Sequence, residues 1–203
     1  MSEAPLRFDG VICYGLPFAD EHLRNPNYLD WLRDYDVIRT LNLPSYWEPV
    51  TEDEVKRYCR NVMASDTDKF FALHAGDSGR FIGTVRLGHI DWTGGIGDIG
   101  IMIGERQYWG RGIAQDAVSA VAKLAFSRLR LRKLTAGAMS INPAMIHVFE
   151  KLGFQREACL RQHDRLREGG YCDHIHLGCF RDEFEGAITS ALRSGKLQNM
   201  EAK

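Results

Sequence analysis

A single mixed α/β domain, of the α+β kind, is the fold class this sequence predicts, and three observations predict it. Hydrophobic periodicity changes repeatedly along the chain between the two-residue repeat of strands and the three-to-four-residue repeat of helices. Gly, Pro and Asp punctuate these runs with no low-complexity linker, fixed-period repeat or shift in composition. The 203 residues, 44% of them hydrophobic, suit one generous domain with a sizeable core, at roughly 100–200 residues per domain. Residues 1–203 are therefore read as one domain.

Val11 to Tyr14 reads as a first strand, and Pro26 to Asp34 as a helix with Pro near its start and Tyr28, Leu29, Trp31 and Leu32 along it. Thr51-Glu52-Asp53-Glu54 is a capping box, in which hydroxyl and carboxylate satisfy orphan backbone donors, and Val55, Tyr58, Cys59 and Val62 follow at helical spacing. Lys69 to Ala75 and Arg80 to Ile90 are β-rich runs joined by Gly76-Asp77-Ser78-Gly79, turn chemistry suited to a hairpin. A third run, Ile96 to Gly104, is glycine-rich. Ala114, Ala117, Val118, Val121, Leu124 and Ala125 then mark one apolar face of a helix ending near Ser127. Lys133 to Met139 returns to strand character, and Pro143 to Leu152 is a second amphipathic helix stopped by Gly153. Phe154 to His163 and Tyr171 to Phe180 close the domain as a strand pair.

Lys plus Arg number 26 and Asp plus Glu 27, a formal net charge of −1. Nucleic-acid binders show a basic excess or stripe, so DNA, RNA and an acidic membrane surface are not expected as partners. Met1 to Arg7 has no basic stretch followed by an apolar run, and no segment approaches the roughly 18 apolar residues of a membrane helix. A cytoplasmic location is expected. The five cysteines, Cys13, Cys59, Cys159, Cys172 and Cys179, form no C-x-x-C pair and read as buried or partly buried thiols.

Ile101 to Ala114 runs a strand into a helix through a loop holding Gly110 and Gly112. The first turn of a helix leaves its N–H groups unpaired at the positive end of the dipole, so a phosphate can dock there if no side chain covers the backbone. The two glycines remove those side chains, and Arg111 can add a charge-assisted bond. Gln115 stands where a dinucleotide fingerprint needs Gly or Ala, and the G-K-[ST] of a P-loop is missing. The same glycines also suit a plain tight turn; the loop alone leaves both readings open.

Trp109-Gly110-Arg111-Gly112-Ile113-Ala114 resembles the acyl-CoA-binding motif of the GNAT superfamily of N-acetyltransferases, Gln/Arg-x-x-Gly-x-Gly/Ala. Trp in first place is similar to the branch of ribosomal-protein N-terminal acetyltransferases, while Gln107-x-x-Gly110-x-Gly112 also fits the written pattern. About thirty residues on, Asn142-Pro143-Ala144-Met145-Ile146-His147-Val148-Phe149-Glu150-Lys151-Leu152-Gly153-Phe154 is similar to the family's Asn-bearing helix ending in Glu-Lys-Leu-Gly-Phe. The resemblance covers roughly residues 80 to 180. It implies a mixed, mostly antiparallel sheet flanked by helices, acetyl-CoA as co-substrate, no metal, and central strands that splay so that pantetheine bonds free backbone groups near Ile101, Met102 and Ile103. The implied CoA site adds Trp109, Gly110, Arg111, Gly112, Ile113, Ala114, Asn142, Phe149 and Lys151 to these three. Gly97, Gly100 and Gly104 leave space beside that strand independently of any resemblance. Asn142 before Pro143 is also explained by capping alone.

Amine acetylation needs a neutral amine, a polarised thioester carbonyl and a proton for the leaving thiolate. Asp98, eleven residues before Trp109, lies roughly where the superfamily carries a general-base carboxylate, although an exposed Asp on a half-buried strand would look the same. The family's acid, Tyr or Ser, is replaced here by Phe149 and Met145, and neither donates a proton. Tyr171 or water is the expected substitute. His147 is expected to face solvent, and His174 and His176, which share one strand face, read as structural or acceptor-binding, since no third ligand for a metal accompanies them. The run Arg128, Arg130, Arg132-Lys133 reads as a solvated helix end, with the 3′-phosphate of CoA as a minority reading. Tyr28, Trp31, Tyr46 and Trp47 are expected in the core, with one or two facing the acceptor.

Tyr28 to Leu32 and Ile101 to Ala114 are similar to members that acetylate amino sugars carried on nucleotides, and also to protein N-terminal acetyltransferases. The neutral surface favours a small-molecule amine. A protein N-terminus, or a catalytically silent acyl-CoA-binding module, are the alternatives. An apolar closing strand could pair two copies into a homodimer.

Overall fold

Eight strands share one sheet in the order β1-β2-β3-β4-β5-β6-β8-β7, every neighbouring pair antiparallel except β5 with β6. The structure is a computed structural model that describes residues 5–41 and 43–193. The strands are β1 (Phe8–Asp9), β2 (Cys13–Pro17), β3 (Lys69–Ala75), β4 (Phe81–Asp91), β5 (Ile96–Ile103), β6 (Lys133–Met139), β7 (Gln155–Arg165) and β8 (Tyr171–Phe180). The helices are α1 (Asp20–Leu23), α2 (Pro26–Arg33), α3 (Tyr35–Ile38), α4 (Glu52–Met63), α5 (Ile113–Ser127), α6 (Pro143–Lys151) and α7 (Arg181–Arg193).

Strand alternation divides the interior into two cores. Phe71 and Leu73 of β3, Ile99 of β5, Leu134 and Ala136 of β6 and Leu177 of β8 pack against α5, Phe149 of α6 and Phe184 of α7. Phe70 and Ala72 of β3, Phe81 of β4 and Met102 of β5 face the other way, against Tyr28, Trp31, Val37, Ile38, Val55, Cys59 and Val62 of the N-terminal helices. The capping box forms as read: Thr51 Oγ1 accepts from Glu54 N–H at 3.3 Å, and Glu54 accepts from Thr51 N–H at 2.8 Å. Gly79 closes the β3–β4 hairpin at φ +67°.

Three departures from the sequence reading have physical causes. The strand expected at Val11 to Tyr14 is β2, Cys13–Pro17, preceded by the two-residue β1, because the amides of Val11, Ile12 and Cys13 turn onto the Asp116 carboxylate of α5 at 2.8–3.0 Å. The helices α1 and α3 have four residues each, too few to show a period. Helix α7 follows β8 without a break; Glu183 caps its start by accepting from Phe180 N–H at 2.7 Å, and Phe184 packs on Phe126 with ring centroids 5.6 Å apart.

Among the described residues no helix is long and apolar enough to cross a membrane, and no group of three or more His, Cys, Asp or Glu is placed to hold a metal. All five cysteines are free, and four are buried as expected, whereas Cys159 is exposed on the edge strand β7.

Candidate active site

Strand β5 stays paired with β4 as far as Gly83 opposite Ile103, but its pairing with β6 stops at Asp98 opposite Thr135. Strand β6 continues along β8 to Met139 opposite His174. A gap therefore opens between Ile99–Ile103 and Ala136–Met139. Gly104 N–H bonds Ile82 C=O on β4, so by alternation Met102 turns its backbone to β4 while Ile101 and Ile103 turn theirs into the gap. The Ile103 carbonyl accepts the Trp109 indole N–H at 2.8 Å, which leaves the backbone of Ile101 facing the opening. A methyl at Gly100 would meet nothing within 4 Å, so the strand is also uncovered there.

Beyond β5 the chain enters α5 through Gly110 at φ +71° and Gly112 at φ +80°, the left-handed region that side chains rarely adopt. Nothing lies within 4 Å of a methyl built at Gly110, and only Ile12 Cδ1, at 3.9 Å, meets one at Gly112. Gly112 is the N-cap of α5 and supplies no capping side chain, so the first amides of this helix face an open surface. Asp116, the one acidic residue in the first turn, is held away by the amides of residues 11–13. An anion fits here. Arg111 sits over the Tyr108 ring at 5.5 Å, and Ile113 is buried beneath the loop.

The gap continues into a cavity of about 420 Å³ that reaches the N-terminal helices. It is lined by Phe70, Ile101, Met102 and Gly137 of the sheet, by Met145 and Phe149 of α6, and by Tyr28, Leu41, Val55 and Tyr58 of the N-terminal segment. Asn142 accepts from Met145 N–H at 3.2 Å as the N-cap of α6 and donates to Thr40 Oγ1 at 3.1 Å, fixing the cavity's rim to the segment after α3. Arg86 lines the wall in an ion pair with Asp68 at 2.6 Å. Burial pushes the Tyr58 phenol up, against the nearby Arg86 charge. Trp31 instead packs beneath Gly104, where a methyl would strike its ring at 2.0 Å. Tyr46 is buried, with Arg167 N–H donating to its hydroxyl at 2.7 Å, and Trp47 is exposed under Arg165.

Asp98 sits at the point where β5 and β6 part, and accepts from Thr135 Oγ1 at 2.8 Å. Burial raises its carboxyl above its ordinary value, opposed by the Thr135 bond and by the charges of His89, Arg86 and His176. The fold thus holds this proton more tightly than the unfolded chain does. The stabilisation is present below the unfolded value and is lost as pH rises through the raised folded one. Asp98→Asn keeps the Thr135 acceptor without the charge, so its melting temperature is expected to gain on the native protein as pH rises above the ordinary carboxylate range, about pH 4. A difference that stays flat over that rise in paired thermal melts would contradict the assignment of the shift to Asp98.

The other sequence-derived candidates are dispersed. Tyr171, proposed as the acid, is 60% exposed at the start of β8 and is not part of the cavity wall, because the hairpin carries it past the end of β6. Lys151 and His147 are exposed on α6. Arg132 donates to Gly94 C=O and Lys133 pairs with Glu157, so both have structural partners. His174, read from the sequence only as structural or acceptor-binding, does line the cavity, and its Nδ1 lies 2.6 Å from Asp164 Oδ2. Alternation brings His174 and His176 to one face; nothing in the local pattern points to Asp164 as the partner across the hairpin.

An opened strand pair, a bare helix N-terminus beside it and a cavity leading to a second helical layer define a transferase for an acyl group carried on a long phosphorylated arm. Residues 17–155 match the Acetyltransferase (GNAT) domain family, and the chain belongs to that family. It is an N-acetyltransferase with acetyl-CoA as co-substrate. The "Probable N-acetyltransferase YjcK" of Bacillus subtilis (strain 168) is 32% identical over 125 residues, 61% of this chain and 67% of that protein. The uncharacterized N-acetyltransferase p20 of Bacillus licheniformis is 24% identical over 153 residues, 75% and 85% of the two chains. Among solved structures, spermidine N-acetyltransferase from Vibrio cholerae in complex with CoA and spermine superposes with a TM-score of 0.76 at 18% identity, covering 85% of this chain and 98% of that one. A GCN5-related N-acetyltransferase from Brucella melitensis gives 0.74 at 20% identity, covering 94% and 86%. Both structures share the fold.

Proposed function

We propose that the acceptor is a small-molecule primary amine, with an amino sugar carried on a nucleotide as the leading class. The carrying observation is the cavity of about 420 Å³, which joins the gap in the sheet to a wall containing Tyr28, Tyr58 and Phe70. That volume suits an acetyl-bearing pantetheine tip on one side and a sugar-sized body against aromatic side chains on the other. In this reading the CoA pyrophosphate docks on the amides of residues 110–114, pantetheine pairs with Ile101 beside Phe149 and Asn142, and the amine enters from the α4 side. Asp98 assists loss of the first proton from the incoming ammonium, which its raised basicity favours. The neutral amine then attacks the thioester directly.

A second reading, a protein N-terminus as acceptor, draws on Leu32, Leu41, Leu43, Val50 and Val55, which would receive an apolar first side chain. The likeness to a spermidine N-acetyltransferase adds polyamines to the panel. Mass-spectrometric detection of a 42 Da gain (roughly one acetyl group) across nucleotide amino sugars, polyamines and ribosomal N-terminal peptides decides between them. Turnover of the peptides alone would overturn the small-molecule reading. A cytoplasmic location is part of the proposal and accords with five free cysteines. A homodimer through the edge strand β7, exposed at every position but Asp164, is proposed with it and is checked by sedimentation equilibrium.

A further inference from the structure

We propose that His174, held by Asp164, is the catalytic group that carries the second amine proton to the departing sulfur of CoA. The proposal rests on the direct-transfer reading above and fills the position left by Phe149 and Met145, which line the cavity but offer no proton.

Four features of the structure converge on this ring. Strand β7 is exposed along its length except at Asp164, and a register shift between Leu160 and Asp164 brings that carboxylate opposite Cys172, two residues from His174 on β8. Gln162, inside the bulge, adopts φ +51°, uncommon for a residue with a side chain, and its N–H is received by Asp173 at 2.8 Å. Asp164 is 2% exposed and lies 2.6 Å from His174 Nδ1. A carboxylate only accepts, so Nδ1 carries the hydrogen, and in the neutral form of such a ring Nε2 is the acceptor.

The far side of the ring is placed by Gly137. A methyl there would come within 2.5 Å of His174 Nε2, so the imidazole reaches across β6 only because residue 137 has no side chain. Gly137 and His174 both line the cavity, on the β6 side of the gap. Two further rings, His163 and His176, lie with centroids 5.7 and 5.0 Å away. The arrangement is a histidine with one nitrogen anchored in a buried carboxylate and the other lying over Gly137 at the cavity wall.

The proton balance closes without any further reactant. As the nitrogen–carbon bond forms, the amine proton passes to Nε2. As the carbon–sulfur bond breaks, the imidazolium returns that proton to the thiolate. One N–H is lost, one S–H is gained, and His174 ends neutral as it began. The earlier proton, shed by the ammonium with help from Asp98, leaves to solvent. Asp164 acts through His174 and is a positioning residue.

An acceptor-independent experiment uses the native protein and two ligands. The His174 imidazole Cε1–H resonance, identified by its disappearance in H174Q, is expected to differ between the complexes with CoA and with desulfo-CoA, which lacks the thiol. Calorimetry establishes saturation in each case. Identical resonances in the two saturated complexes overturn the role of His174, whereas failure of either ligand to bind overturns the CoA site along with it. In turnover, with the acceptor the native enzyme acetylates fastest, H174Q is expected to lower kcat by about 10²–10³-fold while KM for acetyl-CoA changes less than about threefold. D164N is expected to act in the same direction, with D164E recovering part of the rate as a structural role would not require. A folded H174Q enzyme that keeps kcat within about fivefold of native removes the proposal.

Discussion

Gly112→Asp is expected to weaken acetyl-CoA binding by about 30- to 1,000-fold, with a loss of only about 1 kcal/mol in folding stability. The two effects separate because the position is open but conformationally special. A side chain at Gly112 meets only Ile12 Cδ1 at 3.9 Å, an ordinary contact, so no steric clash accompanies the substitution. Its φ of +80° lies in the left-handed region, which Asp and Asn tolerate better than other residues with side chains. The carboxylate, in contrast, would stand at the N-cap of α5, where the bare amides are proposed to receive pyrophosphate. Two like charges about 4 Å apart near a surface repel by roughly 4 kcal/mol before salt screening lowers it, which sets the expected range. Gly112→Asn supplies the same backbone strain and nearly the same volume without the charge. Calorimetric titration with CoA should therefore show the aspartate variant far weaker than the asparagine one, and the gap should narrow as salt is raised. Equal affinities for the two variants would place the pyrophosphate elsewhere.

That loop was legible in the sequence because its chemistry is local: two glycines, a tight turn and the start of an apolar helical face all lie within a few residues. The bounds of β3 and β6 coincide with the runs Lys69 to Ala75 and Lys133 to Met139 for the same reason, since turns flank them closely. Val11 and Ile12 misled because apolar residues next to a strand look like the strand itself, whereas a carboxylate more than a hundred residues away bends them out of it. Asp98 and Asn142 could be placed from motif spacing, but the separation of β5 from β6 just beyond Asp98 depends on three strands at once. The Asp164–His174 contact was hidden more deeply. It needs a register shift in β7 to bring Asp164 beside His174 and a glycine on another strand to make room for the ring, and neither condition shows in the periodicity of β8.

Asp116→Ala is expected to cost about 3 kcal/mol of stability and to lower the melting temperature by roughly 6–12 °C. Asp116 is 9% exposed and joins the start of the sheet to the start of α5. Its Oδ1 accepts from Val11 N–H at 2.9 Å, and its Oδ2 from Ile12 and Cys13 N–H at 2.8 and 3.0 Å. Burial, reinforced by the Asp116 charge, raises the Cys13 thiol, which therefore stays protonated and donates to Oδ2 at 3.2 Å. Removing the carboxylate strands several donors together, and while water can reach Val11 and Ile12, which are 43% and 41% exposed, Cys13 at 2% is sealed. Gly10 fits this turn for the same reason, since a methyl there would strike Asp116 Oδ2 at 2.3 Å. Asp116→Asn should be nearly as damaging, because its amide can relieve only one side and turns N–H toward N–H on the other. Stability and binding are linked through Ile12, whose Cδ1 would lie 3.9 Å from a methyl at Gly112. A loosened turn should therefore raise KM for acetyl-CoA more than it lowers kcat. Urea melts place the stability loss, and an unchanged denaturant slope would show that the native fold itself is retained. A loss below about 1 kcal/mol would mean that solvent replaces the carboxylate at all three amides and that the turn holds without it.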